Sequence, residues 1–184
     1  MSELYAKLEA WCFAHRIWAT APFIILLLLF AKPVVPLICI GAALVILGEM
    51  GRTWASGYID KNTRLATAGP YRFTRNPLYF FNIVILFGFC VMGGNIFTAI
   101  PAMAAFGIIY RPALRNEAAY VRNIFGEEYD RWAAAVPLFW PKWTNYPAQG
   151  SYSWALVGKH REGKNALAMV AGIALFVAIH LIRN

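Results

Sequence analysis

The chain has 184 residues, 60% of them hydrophobic and 14% charged, with a mean hydropathy of +0.51. A water-soluble globule carries about 25% charged and 45–50% apolar residues, so this chain has too little polar surface to cover itself in water and belongs in a bilayer. The net charge of +8 would suit a nucleic-acid binder, but the Lys and Arg fall between long apolar runs rather than on one solvated face, which argues against that class.

In chain order, residues 3–16 place Leu4, Leu8, Trp11, Cys12 and His15 at helical spacing, which predicts a short amphipathic helix lying at the interface. No cleavable signal peptide is expected, since the first long apolar run starts only near Ile17 and lacks a small-x-small cleavage site. Ile17 to Ala31 predicts an apolar helix, Lys32-Pro33-Val34-Val35-Pro36 a turn, and a second apolar helix runs to Gly48. Each is shorter than the ~20 residues of a perpendicular span, so 17–48 is expected to form a tight hairpin. Residues 49–77 are polar and basic. A third apolar helix is expected from Leu78 to Met92, an uncharged turn at Gly93-Gly94-Asn95, and a fourth helix to Tyr110. After the mixed segment Arg111–Lys142 and the basic stretch 158–165 comes a last apolar helix at Ala166–Ile182. Placing the basic loops on the cytoplasmic side predicts five spans, with the N-terminus inside and Asn184 outside. The expected fold is thus an all-α integral membrane protein forming a single domain over 1–184: the hairpin 17–48, a core 49–142 and the C-terminal helical region 158–184. Cys12, Cys39 and Cys90 have no CxxC spacing and lie in or beside apolar stretches, so they read as small core residues and no metal site is expected.

Two polar clusters interrupt this pattern. The first is Gly69-Pro70-Tyr71-Arg72-Phe73-Thr74-Arg75-Asn76-Pro77-Leu78-Tyr79. Gly-Pro marks a turn, and Asn76 before Pro77 reads as an N-cap with proline at the first helical position. The free N–H groups and positive dipole end beside Arg75 make a ready anion site; the plainer alternative is a capped helix whose Arg75 reaches to lipid headgroups. Tyr71 and Tyr79 are equally at home at a membrane interface.

The second cluster is Arg111–Pro141. Read as a helix, 110–125 lines up Tyr110, Leu114, Val121 and Phe125 in one apolar stripe, and Glu117 falls inside it. A carboxylate there needs a ligand or a partner, the structural alternative being an ion pair with Arg52, Arg75 or Arg115. Glu127, Glu128 and Asp130, after the helix-ending Gly126, read as a solvated rim.

In this order and with these flanking spans, the clusters resemble the isoprenylcysteine carboxyl methyltransferase and phospholipid methyltransferase superfamily. The resemblance runs from Gly48 to Pro141. It rests on Gly48-Glu49, Arg52-x-Trp54-Ala55, Lys61-Asn62, Leu65-Ala66-Thr67, the Gly69-to-Tyr79 motif, Glu117, and Phe125-Gly126-Glu127-Glu128-Tyr129 through Val136-Pro137. It implies methyl transfer from S-adenosylmethionine to an oxygen or nitrogen of a lipophilic small molecule or lipid, at a site facing the cytoplasm from a plasma or inner membrane. Carried over by position, Tyr71, Arg75, Asn76, Pro77 and Tyr79 would line the cofactor pocket, with Glu117 facing it as cofactor contact and proton acceptor. Asn76 stands where the prenylcysteine enzymes usually have His, so no titrating imidazole is available, and Ala113 stands where they carry Arg. Two other functions are weighed: a non-catalytic membrane component of the same fold, and a nicotinamide-dependent membrane reductase, for which the chain lacks extra spans and a G-x-G-x-x-G fingerprint.

Overall fold

The computed structural model describes residues 16–60 and 63–183, with side chains from residue 19 onward. The expected interfacial helix at 3–16 lies outside them except for Arg16, as do Cys12, Lys61 and Asn62. Among the described residues the protein is all-helical, with seven α-helices and no strand: α1 (Arg16–Leu29), α2 (Val35–Ser56), α3 (Pro77–Gly93), α4 (Ile96–Phe125), α5 (Glu127–Ala135), α6 (Trp154–Lys159) and α7 (Glu162–Arg183), with a 3₁₀ turn at Gly69–Arg72.

Three of these, α2, α4 and α7, are long and apolar enough to cross a membrane, while α1 and α3 are apolar but shorter. At 17 residues, α3 spans only about 25 Å. The largest departure from the sequence expectation is α4. It does not stop near Tyr110 but continues through Pro112 to Phe125 as one 30-residue helix, because one missing proline N–H leaves the flanking turns able to sustain the helix. The last helix likewise starts earlier than Ala166, at Glu162, and α2 extends past Gly48 to Ser56.

The chain divides into two compact units. One gathers the chain up to Val45, Leu86–Asn116 and the part from Ala171 onward; the other gathers Ile46–Ile85 and Glu117–Val170. The first unit buries Leu27, Ala31, Ile38, Cys90, Met92, Phe106 and Phe176. Its turns are tied by the Lys32 N–H on the Gly93 carbonyl at 2.8 Å and the Asn95 amide on the Phe30 carbonyl at 3.0 Å. Cys90 is a core residue as expected, whereas Cys39 is exposed; it sits with exposed Ile40 and Pro36 on an outward-facing part of α2, where a small apolar thiol is compatible with lipid.

Close helix approach explains one glycine in particular. A Cβ on Gly41 would collide with the Gly88 carbonyl oxygen and lie 2.9 Å from the Met92 backbone nitrogen. Both obstacles are backbone, so no rotamer change relieves them. Small residues at such crossings let membrane helices approach through van der Waals contact. Gly41→Val is therefore expected to destabilise the protein by at least the upper part of the roughly 1–3 kcal/mol typical of overpacking. At Gly107, by contrast, a Cβ meets nothing within 4 Å, and Gly107→Ala should gain roughly 0.5–1 kcal/mol. Thermal unfolding of both variants in detergent checks the pair.

Candidate functional site

The second unit is organised around a cluster of Ala55, Leu65, Tyr71, Tyr129, Trp132 and Val136, all buried. The Gly69–Tyr79 motif enters it through the 3₁₀ turn. Gly69 has φ +58 and a Cβ there would run into the Tyr58 ring, so the turn needs glycine for both its backbone and its space. The turn delivers the Tyr71 side chain inward, while the Trp132 indole N–H donates to the Tyr71 carbonyl at 3.3 Å.

Residues 72–76 are then paired with the tail 137–144. The Arg75 N–H donates to the Pro137 carbonyl and the Lys142 N–H to the Phe73 carbonyl, both at 2.9 Å. The Thr144 hydroxyl donates to the Arg72 carbonyl at 2.6 Å and the Asn76 amide to the Leu138 carbonyl at 2.9 Å. This pairing gives the Val136-Pro137 tail its structural reason: it fixes the backbone from which Arg75 projects. Asn76 does occupy the position before α3, its carbonyl accepting the Phe80 N–H at 3.1 Å. Its side-chain NH₂, however, is committed to the tail. Asn76 and Pro77 are buried and Tyr79 is half-buried.

Arg75 Nη1 donates to the Tyr129 hydroxyl at 2.8 Å, and its guanidinium carbon lies 5.6 Å from the Tyr129 ring centroid. A guanidinium so placed is oriented by both hydrogen bond and ring. Its Nε is shielded and bonded to no described residue, and the same is true of the Tyr71 hydroxyl. Burial first, and then the negative fields of Glu117 and Glu162, push the Tyr71 phenol well above its ordinary pKa, so at physiological pH it is a neutral donor.

Glu117 is exposed rather than set within the apolar stripe. Ala118, Val121 and Phe125 are the α4 residues that pack on the Tyr71–Tyr129–Trp132 cluster. At 100° per residue, Glu117 lies about 70° from the centre of the face they form with Leu114. It therefore stands at the rim of the cluster, within the electrostatic reach of the Tyr71 hydroxyl. Among the described residues it has no ion pair: Arg52 is engaged by Glu49 and Glu162, and Arg75 by Tyr129. Ala113, at the position of the relatives' arginine, is fully buried on α4, while Arg111 and Arg115 are exposed.

Two arrangements were not foreseen from the sequence, although several of their residues lie in its motifs. Tyr129 and Trp132 occupy the buried face of α5, and their spacing with Val136 (three and then four) was the available signal. The second group centres on Arg52. It donates to Asn82 Oδ1 and to Glu162 at 3.2 and 3.4 Å, its Nε lies 3.7 Å from Glu49, and Asn165 donates to Glu162 at 3.1 Å. Glu49 and Glu162 are both buried. The buried carboxylates of this unit thus sit around Arg52, and not on α4. Among the described residues there is no cluster of three metal-ligating side chains.

The family model for phospholipid methyltransferases matches residues 23–128. The chain belongs to that family. Among curated relatives, it is 32% identical over 118 residues to the nickel-cobalt-cadmium resistance protein NccN of Alcaligenes xylosoxydans xylosoxydans, covering 63% of this chain and 55% of that one. It is 30% identical over 122 residues to the cobalt-zinc-cadmium resistance protein CzcN of Cupriavidus metallidurans, covering 65% and 55%. The chain spans about half the length of these relatives. No solved structure matches it significantly. Family and apolar helices together make this a membrane protein of the methyltransferase fold.

Proposed function

We propose that the protein is an integral membrane methyltransferase that passes a methyl group from S-adenosylmethionine to an oxygen or nitrogen of a lipophilic acceptor, at a site facing the cytoplasm. One observation carries the reading: Arg75, anchored on Tyr129, and the buried Tyr71 hydroxyl present donors that no described residue accepts, with the Glu117 carboxylate, which ion-pairs with no described residue, at the rim of the same cluster. Orphaned donors beside a free negative charge fit a ligand that has both a carboxylate and a cationic centre. When bound, the cofactor supplies an electrophilic methyl carbon, whose bond to sulfur breaks as the acceptor's lone pair takes the carbon.

The residues divide the remaining work. Arg75 suits the cofactor's carboxylate through charge-assisted bonds. Glu117 and the tyrosine faces suit a cationic sulfur. Asn76, Pro77 and Tyr79 form the start of α3 beside Arg75 and shape the pocket wall. For an amine or hydroxyl acceptor, Glu117 takes the released proton on its carboxylate oxygen. The second unit's buried aromatic cluster excludes water beneath the site.

Saturation binding of labelled S-adenosylmethionine to the detergent-purified full chain is expected, and a folded wild-type protein that binds none rules the reading out. Glu117→Gln should lower incorporation of labelled methyl into the organic-soluble fraction of membranes roughly 100-fold. Because Glu117 is exposed, the stability of the Glu117→Gln protein in thermal unfolding should stay within about 0.5 kcal/mol of wild type. The names of the relatives favour a second reading, a non-catalytic membrane component of a divalent-metal resistance system. In that case Glu117→Ala and Arg75→Ala leave cellular metal tolerance unchanged while the apolar helices remain necessary.

A further inference from the structure

The tail that closes the motif carries a surface of its own. No acidic residue occurs between Asp60 and Glu117, and none between Asp130 and Glu162. The backbone bonds from Arg75 to Pro137 and from Lys142 to Phe73 join these two acid-free stretches, so Arg72 and Lys142 lie on a strip whose own sequence supplies no carboxylate. The half-buried Arg72 has a shielded Nε bonded to no described residue, and its guanidinium carbon lies 6.0 Å from the Trp143 ring centroid. Phe73 tilts against the same ring with centroids 5.2 Å apart. Lys142 is exposed, and the indoles on either side of Pro141-Lys142, Trp140 and Trp143, are each 71% exposed.

Two outward indoles flanking a lysine suit the headgroup level of a bilayer, where an apolar body and a polar N–H are both satisfied. The planar fork of a guanidinium matches the geometry of a phosphate, and an ammonium beside it adds a point charge. We infer that Arg72, Lys142 and the tip Trp140–Trp143 form a docking surface for the headgroup of an anionic phospholipid, the phosphodiester lying on the two cations and the glycerol region beside the indoles. A zwitterionic headgroup is disfavoured because the strip offers no carboxylate to its cationic end, and its uncompensated positive charge attracts net negative lipid. This inference does not depend on methyl transfer.

The test uses the full chain in nanodiscs of phosphatidylcholine doped with a small fraction of either brominated phosphatidylglycerol or brominated phosphatidylcholine. The difference in tryptophan quenching between wild type and Trp140→Phe/Trp143→Phe reports the two indoles alone. Brominated phosphatidylglycerol is expected to quench them preferentially. Lys142→Gln, a change at an exposed side chain, should reduce that preference roughly five-fold, and Arg72→Gln/Lys142→Gln should remove it. Equal quenching by both lipids overturns the inference, as does a preference that survives Lys142→Gln unchanged.

Discussion

Arg75→Ala is expected to weaken binding of labelled S-adenosylmethionine by roughly 100-fold. The substitution leaves the Arg75 backbone bond to Pro137 in place, so the tail pairing and the start of α3 persist. What disappears is the guanidinium that Tyr129 holds by a 2.8 Å hydrogen bond and by its ring. Hydrogen bonds to charged groups contribute about 1.5–3 kcal/mol each, which makes a one-bond loss roughly 10- to 100-fold, and a forked contact to a carboxylate loses two. Arg75→Lys keeps the charge without the planar fork and should fall between the two. Tyr129→Phe removes only the hydroxyl that aims Arg75 and keeps the ring, so about 0.5–1.5 kcal/mol, less than or near 10-fold, is expected. The order Tyr129→Phe, Arg75→Lys, Arg75→Ala in saturation binding separates aiming from charge. Wild-type affinity in Arg75→Ala would remove Arg75 from the site.

The features legible in the sequence were those with local causes. Pro77 marks where α3 begins, and Gly94-Asn95 separates α3 from α4, because proline, glycine and the Asn95 carboxamide, which accepts the Phe97 N–H, act on their own backbone. The all-helical class followed from repeated apolar runs too long for strands. Less legible were properties set by neighbours distant in sequence. Periodicity placed Glu117 inside an apolar stripe of α4, yet which side of that stripe is covered depends on Tyr71, Tyr129 and Trp132, and Glu117 is exposed at its rim. Glu49 lies in an apolar helix as well, and it is this carboxylate that the fold buries. Its neighbour Arg52 meets Glu162 across 110 positions of sequence, and no pattern within either helix encodes that meeting. Similarly, the motif string at Gly69–Tyr79 and the Val136-Pro137 tail were visible as separate strings, but not the bonds that stitch 72–76 to 137–144.

Arg52→Ala tests the most costly of those hidden arrangements, and a loss of about 3–5 kcal/mol is expected. The guanidinium lies between two buried carboxylates, Glu49 and Glu162, and also donates to Asn82. No described side chain other than Arg52 pairs with Glu49, and both Glu49 oxygens are shielded with no hydrogen bond from a described residue. Removing the cation therefore leaves two negative charges desolvated and facing each other, which costs far more than the pair gained by forming. The penalty should be largely electrostatic, so relieving the charge should rescue it. Arg52→Ala/Glu162→Gln is expected to recover more than half of the lost stability, whereas Glu162→Gln alone, which keeps one carboxylate for Arg52, should cost only about 1–2 kcal/mol. A double-mutant cycle from thermal unfolding in detergent measures the coupling. Additive losses for Arg52→Ala and Glu162→Gln would show that the cluster acts through packing of the arginine stem and not through charge.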